Sequence, residues 1–304
     1  MLQPTADLSP TSFIRSALLV GLVASGAAAL DVDVPLVLGY TQLSATTKLA
    51  SKPGSVSTDT AERRINQAQL ATIGLAPVLH VGPLRLGMNV TYGSVMAGGA
   101  AKDEALSFVP GRTTEYLAQS KTATGQTVSS AVELAWLPEL GTGFALGPLI
   151  AGHLSREAIT SSEATQTKPT AMVVPGDLAI QNTDWYGVDV GVACAWALTR
   201  SWRIDAEVLG GLRRVRGDID WTNRSDLAHP GVVYRGTGLG WAGGVDLTWQ
   251  VLTQMFLQLG ARVEADSVAG DAQLTNQYGI ITDLNLSSLN RQAISGHFGF
   301  GVNF

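Results

Sequence analysis

The sequence predicts an all-β fold: a transmembrane antiparallel up-and-down β-barrel of ten strands, with short periplasmic turns and five long external loops. Residues 293–304 sort by parity into an apolar face and a small, polar face, the period-two pattern of a strand between unlike surroundings. Similar segments follow one another along the chain, separated alternately by long polar stretches and short turns. Charged residues are also scarce, at 15% of the 304 residues, against about a quarter in typical soluble domains.

The C-terminal strand shows the alternation most clearly. Its apolar face consists of Ile294, Phe298, Phe300, Val302 and Phe304. Its other face consists of Ser295, His297, Gly299, Gly301 and Asn303. Lipid outside and a packed or wet lumen inside would produce this division. The last strand of a soluble sandwich is the alternative, and this strand alone does not exclude it.

Residues 1–29 resemble an export signal. Arg15 precedes a short apolar core at 16–24, and the small residues at 25–29 suit cleavage after Ala29. A buried Ala-rich helix is the alternative for this segment. Export followed by amphipathic strands indicates the outer membrane of a two-membrane bacterium, with a barrel domain at 30–304 exposed on the cell surface.

The alternation predicts ten strands in order along the chain. They cover about 31–41, 66–79, 84–92, 131–136, 144–155, 186–198, 202–221, 239–249, 257–266 and 293–304. Five long polar segments, at about 44–64, 97–125, 156–183, 222–231 and 272–291, alternate with four short turns. A closed membrane barrel has this asymmetry. A soluble sandwich has no reason to place every long loop at one end.

Composition and motifs exclude several other classes of protein. No run of eighteen apolar residues follows the N-terminal region, so a helical membrane protein is excluded. The net charge of −5 argues against a nucleic-acid partner. Cys194 is the single cysteine, so there is no internal disulfide. No metal-ligand cluster or cofactor motif stands out, and we expect a monomer without a cofactor.

The inward positions of the predicted strands carry both signs of charge. They are Arg85, Glu133, His153, Asp189, Arg203, Asp205, Glu207, Arg213, Asp246, Arg262, Glu264 and His297. In a narrow barrel such side chains would meet and pair, because unpaired buried charges are costly. We therefore expect a filled, rigid lumen, with function at the external rim. His153 and His297 are interpreted as members of the luminal network rather than as catalytic residues.

Three local segments resemble a known family. Residues 131–137 (AVELAWL) and 144–156 (FALGPLIAGHLSR) are similar to the fourth and fifth strands of the omptins, the outer-membrane endopeptidases of Gram-negative bacteria. Residues 229–235 (HPGVVYR) resemble the entry to the family's eighth strand. Ten strands, five external loops and a C-terminal Phe are also similar to that family.

The resemblance implies a peptidase site at the rim. Omptins are thought to activate a water between two acidic residues in the second loop and an Asp-His couple in the fourth. Here the second loop offers Asp103 and Glu104, and the fourth offers Asp226 and His229. The spacing departs from the family, because the two acids are adjacent and two residues separate Asp226 from His229. The alternative is a non-catalytic barrel, adhesin-like or structural, or a small porin, with these four as solvated loop residues.

The resemblance also implies lipopolysaccharide on the outer wall as an activating lipid. Arg214 and Arg216 are predicted to point outward just above the apolar band, where they could pair with lipid phosphates. Charges that snorkel at the membrane boundary are the ordinary explanation. Asp218 and Asp220, on one face of the seventh strand, could supply negative charge for a basic peptide substrate; a solvated charged pair at the rim is the alternative.

Overall fold

The structure, a computed structural model, describes residues 31–52, 60–97, 100–105, 116–168, 170–174, 176–222 and 224–304. Within these ranges the side chains of residues 60, 97, 100–105 and 116 are not described. The predicted signal peptide, residues 1–29, lies outside the described residues. In the part of the chain that is described, no helix is long and apolar enough to cross a bilayer.

The described chain consists almost entirely of antiparallel β-strands. In order they are β1 (Asp31–Ser51), β2 (Thr60–Leu75), β3 (Val78–Val81), β4 (Leu84–Ala97), β5 (Ala100–Ala105), β6 (Tyr116–Trp136), β7 (Glu139–Gly141), β8 (Phe144–Lys168), β9 (Met172–Val173), β10 (Asp177–Ala197), β11 (Trp202–Asp220), β12 (Leu227–Leu252), β13 (Met255–Asn276) and β14 (Ile281–Asn303). They form one sheet.

The described strands form ten walls of a closed ring. Strands β2 and β3 succeed one another in the second wall, β4 and β5 in the third, and β6 and β7 in the fourth. The short strand β9 pairs only with β8. The ring closes because β14 returns to pair with β1 from Asp33 opposite Asn303 up to Ser51 opposite Leu284. The predicted up-and-down antiparallel barrel of ten strands is therefore confirmed.

The outer wall carries a broad apolar band. On β11, Val208 and Leu212 are 62% and 68% exposed, whereas Leu209 between them is 2% exposed and faces inward. Trp202 and Trp249 stack at the periplasmic end of the band, with ring centroids 5.5 Å apart. This much exposed apolar surface suits lipid and not water.

The polar segments predicted as external loops are largely strand, which corrects the prediction of five long loops. Strand β8 continues to Lys168, and β12 begins at Leu227. The turn between β13 and β14 spans only residues 277–280. Above the bilayer both faces of a strand can be polar, so the hydropathy alternation disappears while the ladder of backbone hydrogen bonds continues. The barrel therefore projects well beyond the membrane.

The external half of the barrel has an apolar core inside it. Its members come from eight walls, and the larger ones include Trp185, Ile219, Trp221, Leu227, Val232, Leu284, Leu286 and Leu289. Leu286 and Leu289 are each 1% exposed. Between this core and the periplasmic end, the lumen is occupied mainly by charged side chains.

Candidate functional site

A continuous chain of ion pairs runs through the lumen below the core, beside a cavity of about 330 Å³ that the same side chains line. From the periplasmic end upward its contacts are Asp33–Arg203 (3.7 Å), Arg203–Asp205 (2.7 Å), Asp205–Arg85 (3.4 Å), Arg85–Glu207 (3.6 Å), Glu207–Arg262 (2.5 Å), Arg262–Glu264 (2.9 Å), Glu264–Arg291 (3.0 Å), Arg291–Asp266 (3.2 Å), Asp266–Arg213 (2.5 Å), Arg213–Asp189 (2.6 Å) and Asp189–His153 (3.1 Å). Each internal member touches an opposite charge on both sides. The prediction that luminal charges pair across the interior is confirmed.

Both suspected luminal histidines are paired with luminal carboxylates. His153 ends the chain at Asp189, and His297 contacts Asp246 at 2.8 Å. A glycine makes room for the first ring, because a Cβ at Gly187 would overlap the His153 imidazole. These contacts fit a packing role for both side chains.

The predicted set of inward charges omits four members of the luminal network, which are Asp33, Glu157, Asp266 and Arg291. Arg291 donates to Glu157 at 2.6 Å, yet both had been assigned to external loops. The alternation of inward and outward side chains along the last strand does predict the position of Arg291. Arg291 is two residues before Ala293 and four before Ser295, so it continues the inward face of the last strand.

A second polar cluster lies beside the apolar core. Arg63 is 2% exposed and donates to Gln181 at 2.9 Å and to Ser161 at 2.8 Å. The Tyr234 hydroxyl shares a hydrogen bond of 2.7 Å with Thr183 and accepts one of 3.1 Å from Gln181. Burial raises the pKa of the Tyr234 hydroxyl, so this group stays protonated as part of the network.

The expected couple between Asp226 and His229 does not form, which corrects that part of the site prediction. Both Asp226 oxygens accept hydrogen bonds of 2.7 Å from Arg224, and these hold the pKa of the carboxyl below its usual range. His229 instead places Nδ1 2.6 Å from Oδ1 of Asp220, at the end of β11. The histidine partner therefore comes from the preceding strand.

The two acids predicted for the second loop lie in a strand. Asp103 and Glu104 belong to β5, where Asp103 is in register with Arg63 and Ala118. Their side chains lie outside the described residues. Strand β5 is in the third wall, whereas Asp220 and His229 are in the seventh and eighth, on the far side of the ring. The apolar core occupies the interior between these walls.

Arg214 and Arg216 are exposed on the outer wall, in the position predicted for them. At this level a row of charges crosses five neighbouring walls, because Arg156, Asp184, Arg216, Arg235 and Asp271 are successive register partners. Arg156 lies 3.7 Å from Asp184, and Arg235 lies 3.9 Å from Asp271. Arg216 and Arg235 stand directly opposite each other and repel, although each has a carboxylate as its other neighbour in the row, Asp184 and Asp271 respectively.

Below Arg214 the outer wall has a shallow groove of about 860 Å³. Its lining includes Val132, Leu154, Tyr186, Val188, Leu212 and Leu239. Gly152 contributes no side chain to this face, which deepens the groove. The groove is apolar and has Arg214 at its edge.

Asp218 lies on the same face of β11 as Asp220. It accepts a hydrogen bond of 3.0 Å from Asn182. Burial and the nearby carboxylates of Asp220 and Asp184 raise the pKa of Asp218 against the effect of that hydrogen bond. Among the residues that the structure describes, no group of three or more His, Cys, Asp or Glu side chains could hold a metal ion.

Comparison with known proteins identifies the family. The family model described as "Protochlamydia outer membrane protein" (Pom) matches residues 36–291. The chain belongs to this family. The Pom match and the barrel together place the protein in the bacterial outer membrane. No curated protein matches this Pom family member.

Solved structures show what the Pom barrel resembles in shape. The outer membrane protease OmpT from Escherichia coli has a TM-score of 0.73 and 10% identity, over 91% of this chain and 99% of that one. The autotransporter NalP translocator domain from Neisseria meningitidis has a TM-score of 0.37 and 15% identity, over 97% and 95%. The outer membrane protein OprG from Pseudomonas aeruginosa has a TM-score of 0.33 and 10% identity, over 92% of this chain and 98% of that one. At 10% identity, the likeness to OmpT is one of fold alone.

Proposed function

We propose that this protein is a closed outer-membrane barrel that acts through its surface-exposed rim and outer wall, as a non-catalytic scaffold of adhesin-like or structural type. One observation carries the proposal: the lumen holds a continuous ion-pair chain below and an apolar core above. Paired charges and packed apolar side chains make the barrel rigid and leave the rim for contact with partners.

Ion conductance tests the closed lumen. The protein, refolded in detergent and inserted into planar lipid bilayers, is expected to produce no stepwise currents in molar salt. A large general porin serves as the positive control for insertion. Steady single-channel currents from the folded wild-type protein would contradict the proposal.

The row of arginines on the outer wall supports an anionic lipid, such as lipopolysaccharide, as partner. A phosphate near Arg214 and Arg216 would relieve the repulsion between Arg216 and Arg235, and charge-assisted hydrogen bonds to phosphate are strong. An acyl chain of the same lipid would fit the apolar groove below. Bound lipid would then hold the projecting part of the barrel upright on the membrane.

Lipid binding can be measured directly by native mass spectrometry with lipopolysaccharide. The double variant Arg214→Ala, Arg216→Ala is expected to bind at least about tenfold more weakly, which corresponds to about 1.4 kcal/mol. Arg200→Ala is the matched control, since Arg200 is an exposed arginine in a turn at the periplasmic end. Equal binding by all three proteins would remove this partner from the proposal.

A second candidate function is a surface endopeptidase of omptin type. The contact of 2.6 Å between His229 and Asp220 favours it, since a carboxylate that orients a histidine is a common device in general-base catalysis. The resemblance assigns the water to Asp103 and Glu104, but β5 lies on the far side of the ring from His229, so this candidate rests on the pair of Asp220 and His229 alone. Fluorogenic peptides of mixed sequence, offered to the protein refolded with lipopolysaccharide, test it: cleavage that disappears in His229→Gln supports the peptidase.

A further inference from the structure

We infer that the external rim of the barrel docks onto the surface of a second membrane that carries neutral, phosphatidylcholine-like headgroups, and that two apolar tips make this contact. Tip A consists of Tyr278, Ile280 and Ile281, at the turn between β13 and β14. Tip B consists of Met172 and Val173, which form β9. The inference rests on the proposed non-catalytic function and deepens it, because it names a partner for the rim.

Tip A exposes three large apolar side chains at the external end of the barrel. Tyr278, Ile280 and Ile281 are 79%, 61% and 60% exposed. The strands on either side contribute to the apolar core, since Leu274 packs against it and Leu284 belongs to it. The core therefore does not include the tip, whose side chains lie in water in the free protein. A cluster of exposed apolar side chains of this kind marks a contact site.

Hydrogen bonds hold tip A in this outward form. Oδ1 of Asn276 accepts hydrogen bonds from the backbone N–H groups of Tyr278 at 3.0 Å and Ile280 at 2.9 Å. The Asn276 backbone also donates to the carbonyl of Ile280 at 3.1 Å and accepts from the N–H of Gly279 at 3.0 Å. Gly279 has a φ of +77°, which glycine adopts without strain. The turn is therefore preorganised and loses little conformational freedom when it binds.

Tip B lies on the opposite side of the ring. Strand β9 pairs with β8 in the fifth wall, whereas tip A joins the ninth and tenth walls. Val173 is 75% exposed, while Val174 beside it is buried in the apolar core. The backbone N–H of Val174 donates to the carbonyl of Ala164 at 2.9 Å, which attaches the tip to β8. Each tip is therefore anchored in the core and presents its apolar side chains outside it.

Both tips lie beyond the protein's own lipid band. The row of charges that includes Arg156 and Asp271 lies above this band. Strand β9 pairs with residues 165–166 of β8, which are farther toward the external end than Arg156. On β14, Ile281 is farther toward that end than Asn285, the register partner of Asp271. The protein's own bilayer therefore does not account for the exposed apolar side chains of the tips.

A broad, flat partner fits two tips on opposite sides of the mouth. A pocket on another protein would enclose one convex tip and leave the other in water, whereas the surface of a bilayer meets both. The side chains also suit a membrane interface. A Tyr ring lies at headgroup level with its hydroxyl in water, and Ile side chains enter the apolar layer. A second membrane, facing the cell surface, is therefore the partner that this arrangement favours.

The charge of the rim favours neutral lipid. On the seventh to tenth walls and at the external end of β1, carboxylates outnumber cations among the described side chains above the row of charges. They are Asp218, Asp220, Asp226 and Asp283, against Lys52 and Arg224. Anionic leaflets attract basic segments, so an excess of carboxylates opposes binding to them. Zwitterionic phosphatidylcholine carries no net charge and avoids this repulsion.

Flotation with lipid vesicles tests the membrane as partner. The protein is embedded in lipid nanodiscs, which cover its own apolar band, and is centrifuged with phosphatidylcholine vesicles in a density gradient. We expect the tip A variant (Tyr278→Ser, Ile280→Ser, Ile281→Ser) and the tip B variant (Met172→Ser, Val173→Ser) to bind at least about tenfold more weakly than wild type, because each buries less apolar surface. Val233→Ser is the matched control, since Val233 is exposed above the row of charges but lies outside both tips. Vesicles that also contain phosphatidylglycerol should bind wild type more weakly.

A fluorescent label tests whether tip A enters the lipid. Cys194 is the single cysteine, so Cys194→Ala allows one label at Ile280→Cys or, as the control, at Val233→Cys. We expect phosphatidylcholine vesicles to shift the emission of the label at position 280 to shorter wavelength and to shield it from iodide. The label at position 233 should remain unchanged. This measurement needs no loss of apolar surface from tip B.

Three outcomes would overturn the inference. Wild type that does not bind phosphatidylcholine vesicles is one, and binding that is unchanged in either tip variant is another. The third is pairing of nanodiscs without vesicles that the tip A variant abolishes, because the partner would then be a second copy of the chain. Electrophoresis without boiling checks that each variant forms a closed barrel. Failure to bind vesicles leaves the closed, non-conducting barrel standing, whereas single-channel currents would refute that barrel and not the vesicle binding.

Discussion

At the scale of single residues, Arg213 shows how the lumen is held together. Its guanidinium is 3% exposed and contacts Asp189 at 2.6 Å and Asp266 at 2.5 Å. A Cβ at Gly240 would overlap the Arg213 side chain, so the facing strand leaves space for it. Ionised groups in such a site are stable only as a matched set, because each has lost its water.

Replacing Arg213 by Met is expected to destabilise the barrel by about 3–5 kcal/mol, because two buried carboxylates lose a shared partner. Arg235→Met is the matched control: Arg235 is 79% exposed and 3.9 Å from its partner, so the loss should be about 0–1 kcal/mol. Unfolding by urea in lipid vesicles, followed by Trp fluorescence, measures both. Equal losses of unfolding free energy in the two variants would contradict the view that burial determines how much each ion pair contributes.

The raised pKa of Asp218 is expected to make the stability of the folded protein depend on pH. Burial raises its pKa in the folded protein, so its contribution to stability is present below the ordinary carboxyl pKa of about 3.9 and is lost as pH rises through the folded pKa. Asp218→Asn should therefore be more stable than wild type at neutral pH. The gain should vanish in acid, where Asp218 is protonated.

Asp226→Asn is the control, because the pH dependence of its effect on stability is expected to be opposite to that of Asp218→Asn. The hydrogen bonds from Arg224 lower the pKa of Asp226, so its contribution to stability is present above the ordinary carboxyl pKa and is lost as pH falls through the folded pKa. This variant should be slightly less stable than wild type at neutral pH and equal to it in acid. Unfolding curves of both variants at pH 3 and pH 7 measure these changes in stability, and a change opposite to the expected one would contradict the prediction for that residue.

At the scale of strands, β11 combines three environments along one outward face. Val208 and Leu212 face lipid, Arg214 and Arg216 mark the boundary, and Asp218 lies above it. The inner face changes in the opposite sense, from charged below to apolar in the external half. The predicted strand at 202–221 agrees with β11, whereas the upper parts of β8 and β12 were predicted to be loops.

Substitution by Arg along the outer face should reveal the depth of the bilayer. Val208→Arg, midway between Trp202 and Arg214, is expected to cost about 2–4 kcal/mol, the penalty for a cation near the middle of the membrane. Val233→Arg is the control, because Val233 is 47% exposed but lies above the row of charges. Its cost should be about 0–1 kcal/mol. A similar cost at both positions would show that the lipid band has been misplaced.

At the scale of the whole molecule, the seam between the first and last strands decides whether a barrel exists. Val32 and Phe304 exchange backbone hydrogen bonds of 3.3 and 3.1 Å. The Asn303 amide donates to Asp31 at 2.6 Å and to Asp33 at 3.0 Å. An open seam would expose unpaired backbone groups to lipid.

Deletion of residues 302–304 is expected to prevent closure of the barrel. The measurement is electrophoresis without boiling, in which a closed barrel migrates differently from the unfolded chain. Asn303→Ala is the control, since it removes the side-chain contacts with Asp31 and Asp33 but keeps the backbone ladder. A fully folded deletion variant would show that the seam needs no contribution from these residues.

The sequence predicts the parts of this protein that depend on local alternation. Period-two hydropathy was sufficient for ten walls, for a lipid-facing band and for the inward placement of residues such as Arg213 and Glu264, because a strand must turn successive side chains to opposite faces. The same reasoning put Arg214 and Arg216 on the outer wall. Polar segments above the membrane lack this contrast, so they were predicted to be loops.

Tertiary structure alone decided which groups meet. His229 contacts Asp220 and not the nearer Asp226, because pairing between β11 and β12 brings residues nine apart together while Arg224 binds Asp226. Likewise, only closure of the ring shows that apolar side chains from eight walls fill the external half of the lumen. Local sequence determines the face on which a side chain lies; its partner across the barrel depends on strand register and ring closure, which are properties of the whole sheet.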